Sequence, residues 1–253
     1  IAPSGASLIR NGGEKTAKLT INGGDIKQDG FIVVKNDDHG DLTINGGTFT
    51  ATGSDAVNTI SAVQNWAQAT ITGGTFNGAI WTSVWSNDLP DSKTIIDGED
   101  VKVNGKIVME KYSAGLTKVP ALEIKNGTFD VIWSVDTTVK DNVTVTGGSF
   151  TSDSVEPYLA DGVSLIANSD GTYSVDELDA SNAAAEIGGQ YYGTLTEAWS
   201  AALSQGTATI TLLKDLSGQG VLDLNRAEAN IPGDRNGREL RFGSTGCFQM
   251  QPE

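Results

Sequence analysis

The chain of 253 residues has one cysteine, Cys247, and one histidine, His39. An intrachain disulfide is therefore impossible, and a zinc site built from cysteine and histidine ligands is not expected. No apolar run approaches the roughly 18–20 residues that span a bilayer, so we predict no membrane insertion for this segment.

Basic residues are also scarce, because 17 Lys and Arg stand against 32 Asp and Glu, a formal net charge of −15. An acidic protein repels the anionic backbone of nucleic acids, so no nucleic-acid partner is predicted. Arginine does not occur between residues 11 and 225, but four arginines crowd the C-terminal segment: Arg226, Arg235, Arg238 and Arg241. The composition therefore changes near the C-terminus.

The sequence does contain a repeated string. "LTINGGTFT" at residues 42–50 is matched by "LTINGGDIK" at 19–27, "ATITGGTFN" at 69–77 and "VTVTGGSFT" at 143–151. Weaker copies are "TIIDGEDV" at 94–101 and "LEIKNGTF" at 122–129. The copies recur about every 25 residues, a period typical of solenoids. Because leucine-rich and helical repeat signatures are absent, the pattern favours a coil of short strands.

Alternation within each copy predicts which side chains face the core, since successive strand residues point to opposite faces. We predict a right-handed parallel β-helix of about six turns over residues 15–155, with equivalent residues stacked about 4.8 Å apart. One inward row is predicted to contain Ile21, Ile44, Ile71, Ile96, Ile124 and Val145. A second is predicted to contain Leu19, Leu42, Ala69, Thr94, Leu122 and Val143. A third follows the corner and is predicted to contain Ile26, Phe49, Phe76, Val101, Phe129 and Phe150. The corner glycines, with Asn22, Asn45 and Asn126, are expected to supply positive φ angles.

The predicted fold class is all-β, a single-stranded parallel β-helix followed by a small α+β region. We assign residues 1–175 to the β-helix domain and residues 176–186 to a polar linker. Residues 187–253 are then a strand–helix–strand cap or the truncated start of a second β-helix module. Within them, Thr194 and Glu197 match a helix capping box. The apolar helical face is predicted to contain Leu195, Ala198, Trp199, Ala202 and Leu203. Residues 219–253 lack periodicity, and their order is left open.

Three strings together resemble a known family. They are "ITGGTF", "GGSFTSDSVEPYLADGVSLIANSDGTYSV" and "GGQYYGTLTEAWSAALSQGTATITLLKDLSG". They are similar to the pectate-lyase-like β-helix repeat regions of large secreted, adhesin-like surface proteins of Gram-positive gut bacteria. The resemblance covers about residues 15–220 and implies an extracellular protein, secreted or anchored to the cell wall. It describes architecture and does not name a ligand.

A parallel β-helix also raises the possibility of a polysaccharide-degrading lyase or hydrolase. Such lyases need an Arg or Lys to take a proton, whereas related hydrolases need paired carboxylates on neighbouring turns. The tempting string "NDDHG" places Asp37, Asp38 and His39 in one loop, where we expect a solvated turn. We therefore predict no catalytic residue, no metal ligand and no cofactor, and keep the enzyme as the alternative.

Tryptophan supplies the best candidates for recognition, because exposed indole rings make stacking platforms and hot spots. Trp66, Trp81, Trp85 and Trp133 all lie between copies of the repeat. We select Trp81, Trp85 and Trp133 as candidate ligand contacts, on a side formed by residues 79–91 and 131–139, and expect at least two of the three rings to be exposed. Core filling is the competing interpretation. Calcium binding by the acidic loop "SNDLPD" (86–91) is left open, since a spaced series of ligands is lacking.

These observations predict a non-catalytic cell-surface protein of the adhesin-like kind. Its expected partner is a host or microbial glycan or glycoprotein. A rigid stalk that displays other domains is the remaining possibility.

Overall fold

The computed structural model describes residues 6–53, 60–160, 162–205 and 208–214, with the backbone of residues 241–242 and 248–249. The chain divides into two compact units, residues 1–176 and 177–253. Short strands dominate the first unit, because β-branched residues alternate with polar residues between glycine corners. Its strands are β1 (Ile9–Asn11), β2 (Ala17–Ile21), β3 (Asp25–Asp29), β4 (Val34–Asn36), β5 (Gly40–Ile44), β6 (Thr48–Thr52), β7 (Ser61–Asn65), β8 (Gln68–Ile71), β9 (Gly74–Val84), β10 (Lys93–Ile96), β11 (Val101–Lys111), β12 (Ala121–Ile124), β13 (Thr128–Val135), β14 (Val143–Val145), β15 (Gly148–Phe150), β16 (Val163–Ala167) and β17 (Tyr173–Glu177).

One sheet is made of the repeated strings themselves. Its order is β14-β12-β10-β8-β5-β2, and every pairing within it is parallel. Ile44 pairs with Ile21 on one side and with Ile71 on the other, so equivalent positions of successive copies stack. The predicted parallel β-helix is confirmed, with about five turns.

The inward rows form the core of this coil. Ile44, Ile71, Ile96 and Ile124 are all fully buried. In the row that follows the corner, the Phe49 and Phe76 rings stack with centroids 5.0 Å apart. Burial of this kind contributes roughly 1.5–3 kcal/mol for each large apolar side chain, so successive turns stabilise one another.

The third predicted row is wrong at one position. Phe76 pairs with Val103, and Val103 pairs with Phe129, whereas Val101 pairs with Gly74. The cause is the corner at 97–100, which is two residues longer than the corner that precedes Phe76. Val101 and Val103 are both fully buried. The longer corner therefore preserves the core, but Val103 takes the place in the row that was predicted for Val101.

The corners also differ from the prediction in where positive φ occurs. The second glycine of each pair carries it, as at Gly74 with φ of 115°. Among the described residues Asp38 is the only residue other than glycine with positive φ, so Asn22, Asn45 and Asn126 do not have this role. Instead, Asn45 Nδ2 donates to Asn22 Oδ1 at 2.8 Å, linking neighbouring turns outside the coil.

A second polar ladder lies inside the coil and was not anticipated from the sequence. Asn11 Nδ2 donates to Asn36 Oδ1 at 2.8 Å, and Asn36 Nδ2 donates to Asn65 Oδ1 at 2.7 Å. Asn65 Nδ2 continues the chain to Thr94 Oγ1, which lies 2.7 Å from Thr82 Oγ1. Because each amide is satisfied by the next, these buried polar groups avoid the penalty of unmade hydrogen bonds.

The other large sheet has a more varied composition. β3 pairs with β6, and β6 pairs with the first half of β9; β1 pairs with β4, β4 with β7, and β7 with the second half of β9. β11 and β13 then extend the sheet from the other side of β9. The long strand β9 thus joins the two sets of short strands into one continuous sheet, which β11 extends.

The last turn is partly covered by the segment that follows it. β15 pairs antiparallel with β17, which places Phe150 opposite Tyr173. Leu159 forms a bridge with Val145 after a 3₁₀ segment, Asp153–Tyr158; a second 3₁₀ turn, Lys140–Asn142, precedes β14. Such covering protects sheet edges against uncontrolled pairing.

The second unit contains β18 (Ala185–Ile187), β19 (Gln190–Tyr192), α1 (Leu195–Gln205), β20 (Thr211–Leu212), β21 (Arg241–Phe242) and β22 (Phe248–Gln249). The capping box is confirmed, because Thr194 N–H donates to Glu197 Oε2 at 3.1 Å and Glu197 N–H donates to Thr194 Oγ1 at 3.2 Å. Helix α1 buries Leu195, Ala198 and Trp199. Leu203, expected on the buried face, is 41% exposed.

The predicted linker at 176–186 is shorter in the structure. Its first two residues belong to β17, and its last two belong to β18. Ala183, Ala184 and Ala185 are buried, because small apolar side chains pack where the polar composition predicted solvent. Cys247 and most of residues 219–253 lie outside the described residues.

Candidate ligand-binding face

The outer surface of the second sheet carries the clustered tryptophans. On β9, Ile80 belongs to the main core, so its neighbour Trp81 points to the opposite, outer side. Trp81 there packs with Ala79, Val108 and Trp66 in a small cluster separate from the main core. Alternation along the strand thus builds a hydrophobic layer outside the coil.

Four aromatic rings form this surface, which we call the aromatic face: Trp66, Trp81, Trp85 and Tyr112. The Trp66 ring is central. Its centroid lies 6.1 Å from that of Trp81 in a T-shaped arrangement, 6.4 Å from that of Trp85 and 5.5 Å from that of Tyr112. Backbone pairing supports the arrangement, because Tyr112 N–H donates to the Val84 carbonyl at 3.0 Å and so brings Tyr112 beside Trp85.

The rings of the aromatic face differ in how much of their surface is exposed. Trp85 is 40% exposed and Tyr112 is 64% exposed, whereas Trp81 is only 5% exposed. The expectation of exposure was therefore wrong for Trp81, because Trp66 packs against its ring. Trp81 forms the floor of the face, and Trp85 and Tyr112 form its accessible surface.

Trp133 does not belong to the aromatic face. It pairs in register with Ile107, a core residue, and its ring stacks on Tyr158 at 4.5 Å and lies 6.4 Å from Phe150. The ring is half-buried. Parity places it on the inner side of β13, so the expected contact is a core residue near the last turn.

Several buried polar atoms beneath the aromatic face lack hydrogen-bond partners. Within the described part of the chain these include Gln64 Oε1, Trp66 Nε1, Trp81 Nε1 and Ser83 Oγ. Gln64 pairs with Trp81 in register, so its side chain lies on the same outer side. Buried polar groups are normally paired, and leaving one unpaired costs about 1–3 kcal/mol. This concentration distinguishes the face from ordinary sheet surface.

The string "NDDHG" lies at one border of this surface and is not a solvated turn. Asp37 is 3% exposed, and its carboxylate lies 3.1 Å from Arg10 Nε and 3.2 Å from Lys35 Nζ. His39 Nδ1 lies 3.0 Å from the Gly13 carbonyl. The hydrogen bond from Arg10 to Asp37 raises the pKa of the guanidinium. The string therefore links the first turns of the coil.

Lys35 connects that border to the aromatic face. Its ammonium group lies 4.5 Å from the Trp66 ring centroid, which is a cation–π distance. Because the same ammonium is paired with Asp37, its charge is partly neutralised. Lys35 therefore helps to orient the Trp66 ring, and little of its positive charge is available to a ligand.

Two carboxylates lie at the opposite border. Met109 pairs with Val135, so the next residues, Glu110 and Asp136, stand on neighbouring turns and point outward. Burial, and then the nearby Asp136, raise the pKa of Glu110. Hydrogen bonds from the Thr138 N–H and hydroxyl hold the pKa of Asp136 below its usual value.

The acidic loop at 86–91 is tied to the chain by hydrogen bonds. Asn87 Oδ1 accepts from the backbone N–H groups of Thr117 and Lys118 at 2.9 and 3.2 Å. Lys118 Nζ also lies 3.3 Å from the Asp91 carboxylate. Among the described residues, no three or more His, Cys, Asp and Glu side chains gather in a group that could hold a metal ion.

Comparison with family models, with characterised proteins and with solved structures gives no match for this chain. In the part of the chain that the structure describes, no helix is both long enough and apolar enough to cross a membrane.

Sequence reasoning identified part of the aromatic face and missed its most exposed member. Ile107 and Met109 on β11 face the core. Tyr112 is an odd number of residues further along, so alternation predicts that its side chain points outward, provided that β11 extends to Lys111. Trp66 is not among the predicted ligand contacts. It lies beside Trp81 because β7 pairs with β9, and a single sequence does not reveal that pairing.

Proposed function

We propose that this is a non-catalytic, extracellular, adhesin-like surface protein that binds a glycan or glycoprotein through the aromatic face. The observation that carries the proposal is the exposed pair Trp85 and Tyr112, supported from below by Trp66 and Trp81. Aromatic rings on a rigid sheet offer apolar contact area with little loss of conformational entropy. A solenoid displays such a surface without needing an internal cavity.

The net charge indicates which glycans the aromatic face would favour. The net charge of −15 repels uronate-rich polymers, so neutral glycans are the expected class.

The test is a glycan array that contains neutral and acidic oligosaccharides, probed with the labelled chain, followed by calorimetry on the strongest binder. The combined Trp85→Ala and Tyr112→Ala substitutions should weaken binding about 30-fold, which corresponds to about 2 kcal/mol. Ile132→Ala is the matched control, because it removes exposed apolar area away from the aromatic face.

Two results would contradict the proposal. Binding that survives the double substitution but is lost in Ile132→Ala would place the site elsewhere. An absence of binding to every glycan and glycoprotein tested would favour the rigid stalk.

A polysaccharide hydrolase is the second candidate, and Glu110 with Asp136 is the observation that favours it. Paired carboxylates whose pKa values are displaced in opposite directions are typical of glycosidases, where one acts as acid and the other as base or nucleophile. Their position next to Tyr112 would put a bound sugar within reach. Arginine and a second histidine, which other β-helix chemistries would require, are lacking between residues 40 and 225.

Turnover assays separate the two candidates. We expect no release of reducing ends from neutral or acidic polysaccharides. Cleavage that disappears in Glu110→Gln while glycan affinity is retained would replace the adhesin-like proposal with the hydrolase.

A further inference from the structure

Among the described residues, the last turn of the coil leaves six of the eight residues of β13 without a neighbouring strand on one side. β15 pairs only with Thr128 and Phe129 of β13, through Ser149 and Phe150. In the described residues no strand pairs with residues 130–135 on that side. The cover provided by β17 and Leu159 lies on β15 and on β14, and Tyr158 packs on the Trp133 ring, on the inner side of β13.

The backbone groups along this edge can be assigned. Ser149 N–H donates to the Gly127 carbonyl and Thr151 N–H donates to the Phe129 carbonyl, both on the β15 side. Backbone direction alternates along a strand, so Val131, Trp133 and Val135 also direct their N–H and C=O groups to that side. Asp136 N–H, of opposite parity, donates to Met109 on β11. Six hydrogen-bonding groups therefore face the open edge.

A groove of about 650 Å³ runs beside this edge. Its walls are Asp130, Val131, Ile132 and Trp133 on one side and Ser152 and Ser154 on the other. Ile132 points outward and is 66% exposed, more than any other large apolar side chain described. Natural sheets usually protect an edge with lysine, proline or a covering segment, and residues 130–135 contain no lysine or proline.

We propose that this edge, residues 130–135, is a docking site for an extended segment of a partner protein, which adds to the sheet as a further strand. Main-chain hydrogen bonds would supply affinity, and the outward side chains would supply selectivity. The proposal is independent of the aromatic face, which lies on other strands of the same sheet.

Charge indicates the chemistry of the incoming strand. Asp130 and Asp136 are exposed at the two ends of the edge, and Asp153 is exposed beside the groove. Lys106 lies on β11, opposite Ile132. The segment that fits best therefore has basic residues six positions apart, with an apolar side chain between them to cover Ile132. Opposite charges directly across two strands stabilise the pair.

The same charges disfavour a second copy of this chain. A symmetric antiparallel pairing centred on Trp133 would use the edge-facing backbone groups of Val131, Trp133 and Val135. It would, however, place Asp130 of each copy opposite Asp136 of the other. Like charges in that arrangement are destabilising. Two chains that each carry a charge of −15 would also repel one another.

The experiment uses the full chain and the synthetic peptide acetyl-Lys-Thr-Val-Thr-Val-Thr-Lys-amide, with binding measured by fluorescence anisotropy at low salt. A peptide with glutamate at both ends, otherwise identical, should bind at least tenfold more weakly. Two further peptides are N-methylated on alternating residues. One of the two should lose binding and the other should retain it, since only one set of N–H groups points at β13 in a given strand direction.

Protein variants complete the test. Ile132→Ser should weaken binding of the basic peptide at least tenfold, because it removes the apolar contact without changing the charge. The variant should keep the circular dichroism spectrum of the parent, because Ile132 is exposed. Asp130→Asn with Asp136→Asn should reduce the salt dependence of binding. Trp85→Ala with Tyr112→Ala should leave peptide affinity unchanged, although it should weaken glycan binding about 30-fold.

The proposal is overturned if both N-methylated peptides bind equally, or if Ile132→Ser binds the basic peptide like the parent. It is also overturned if sedimentation shows a dimer that Ile132→Ser dissociates, because the second copy would then be the occupant.

Discussion

Replacing Ile71 by alanine tests whether stacked inward rows hold the coil together. Ile71 is fully buried, and it pairs with Ile44 on one side and with Ile96 on the other. Removing three side-chain carbons from such a position leaves a cavity that two neighbouring turns must share, and the expected loss is about 3 kcal/mol. In a unit of this size, that loss lowers the melting temperature by about 6–12 °C.

The assay is urea unfolding followed by tryptophan fluorescence in a Trp199→Phe background. The other four tryptophans all lie in the first unit, so the signal then reports on the coil. Thr70→Ala is the matched control, because Thr70 is adjacent in sequence and points outward, and its change should stay within about 1 kcal/mol. Ile71→Asp should prevent folding of the unit, since it buries an unpaired charge.

A parent-like midpoint for Ile71→Ala, or equal losses for Ile71→Ala and Thr70→Ala, would refute the reasoning. Either result would mean that the inward row does not carry the stability of the coil. The slope of the urea transition should remain the same, because the surface exposed on unfolding is nearly unchanged.

Three other expectations follow from the described contacts. Asn36→Ala should lower the free energy of unfolding by about 2–3 kcal/mol, measured by urea titration, because it removes the buried hydrogen bonds from Asn11 Nδ2 to Asn36 and from Asn36 to Asn65 Oδ1. Gly74→Ala should lower it by about 1–3 kcal/mol in the same assay, since φ is 115° and a Cβ would lie 2.9 Å from the Gly47 carbonyl oxygen; alanine at the exposed Gly115, where a Cβ meets nothing within 4 Å, is the control. The raised pKa of Glu110 favours its neutral form in the folded state, so its stabilising contribution is complete below the unfolded pKa of about 4.3 and is lost as pH rises through the folded value. Glu110→Gln should therefore gain stability relative to the parent between pH 4 and pH 7, and a difference that does not change with pH would contradict this.

The features that repeat were accessible from the sequence. A coil of stacked turns requires the same side-chain alternation in every turn, so periodicity alone predicted the parallel sheet and the ten pairings between neighbouring residues of its two inward rows. The helix of the second unit was equally local, because Thr194 and Glu197 satisfy each other within four residues. Local rules of this kind do not need knowledge of the tertiary structure.

Features that depend on unequal turns were decided by the tertiary structure. Two extra residues in the corner at 97–100 exchanged Val101 for Val103 in the inward row, and no period predicts an insertion. The asparagine ladder was visible only as three similar dipeptides, Arg10-Asn11, Lys35-Asn36 and Gln64-Asn65, at spacings that differ from one turn to the next. The register between paired strands places these residues, which are far apart in the sequence, next to one another.

The candidate sites show the same division. The sequence determined that tryptophans lie between the repeated strings, and it determined their parity within each strand. Only the pairing of β7, β9 and β11 brought Trp66, Trp81, Trp85 and Tyr112 together. Only the early end of β15 left β13 open, and register with Ile107 on β11 placed Trp133 on the inner side. Contacts within one strand follow from alternation along the chain, whereas contacts between strands depend on loop lengths that position one turn on the next.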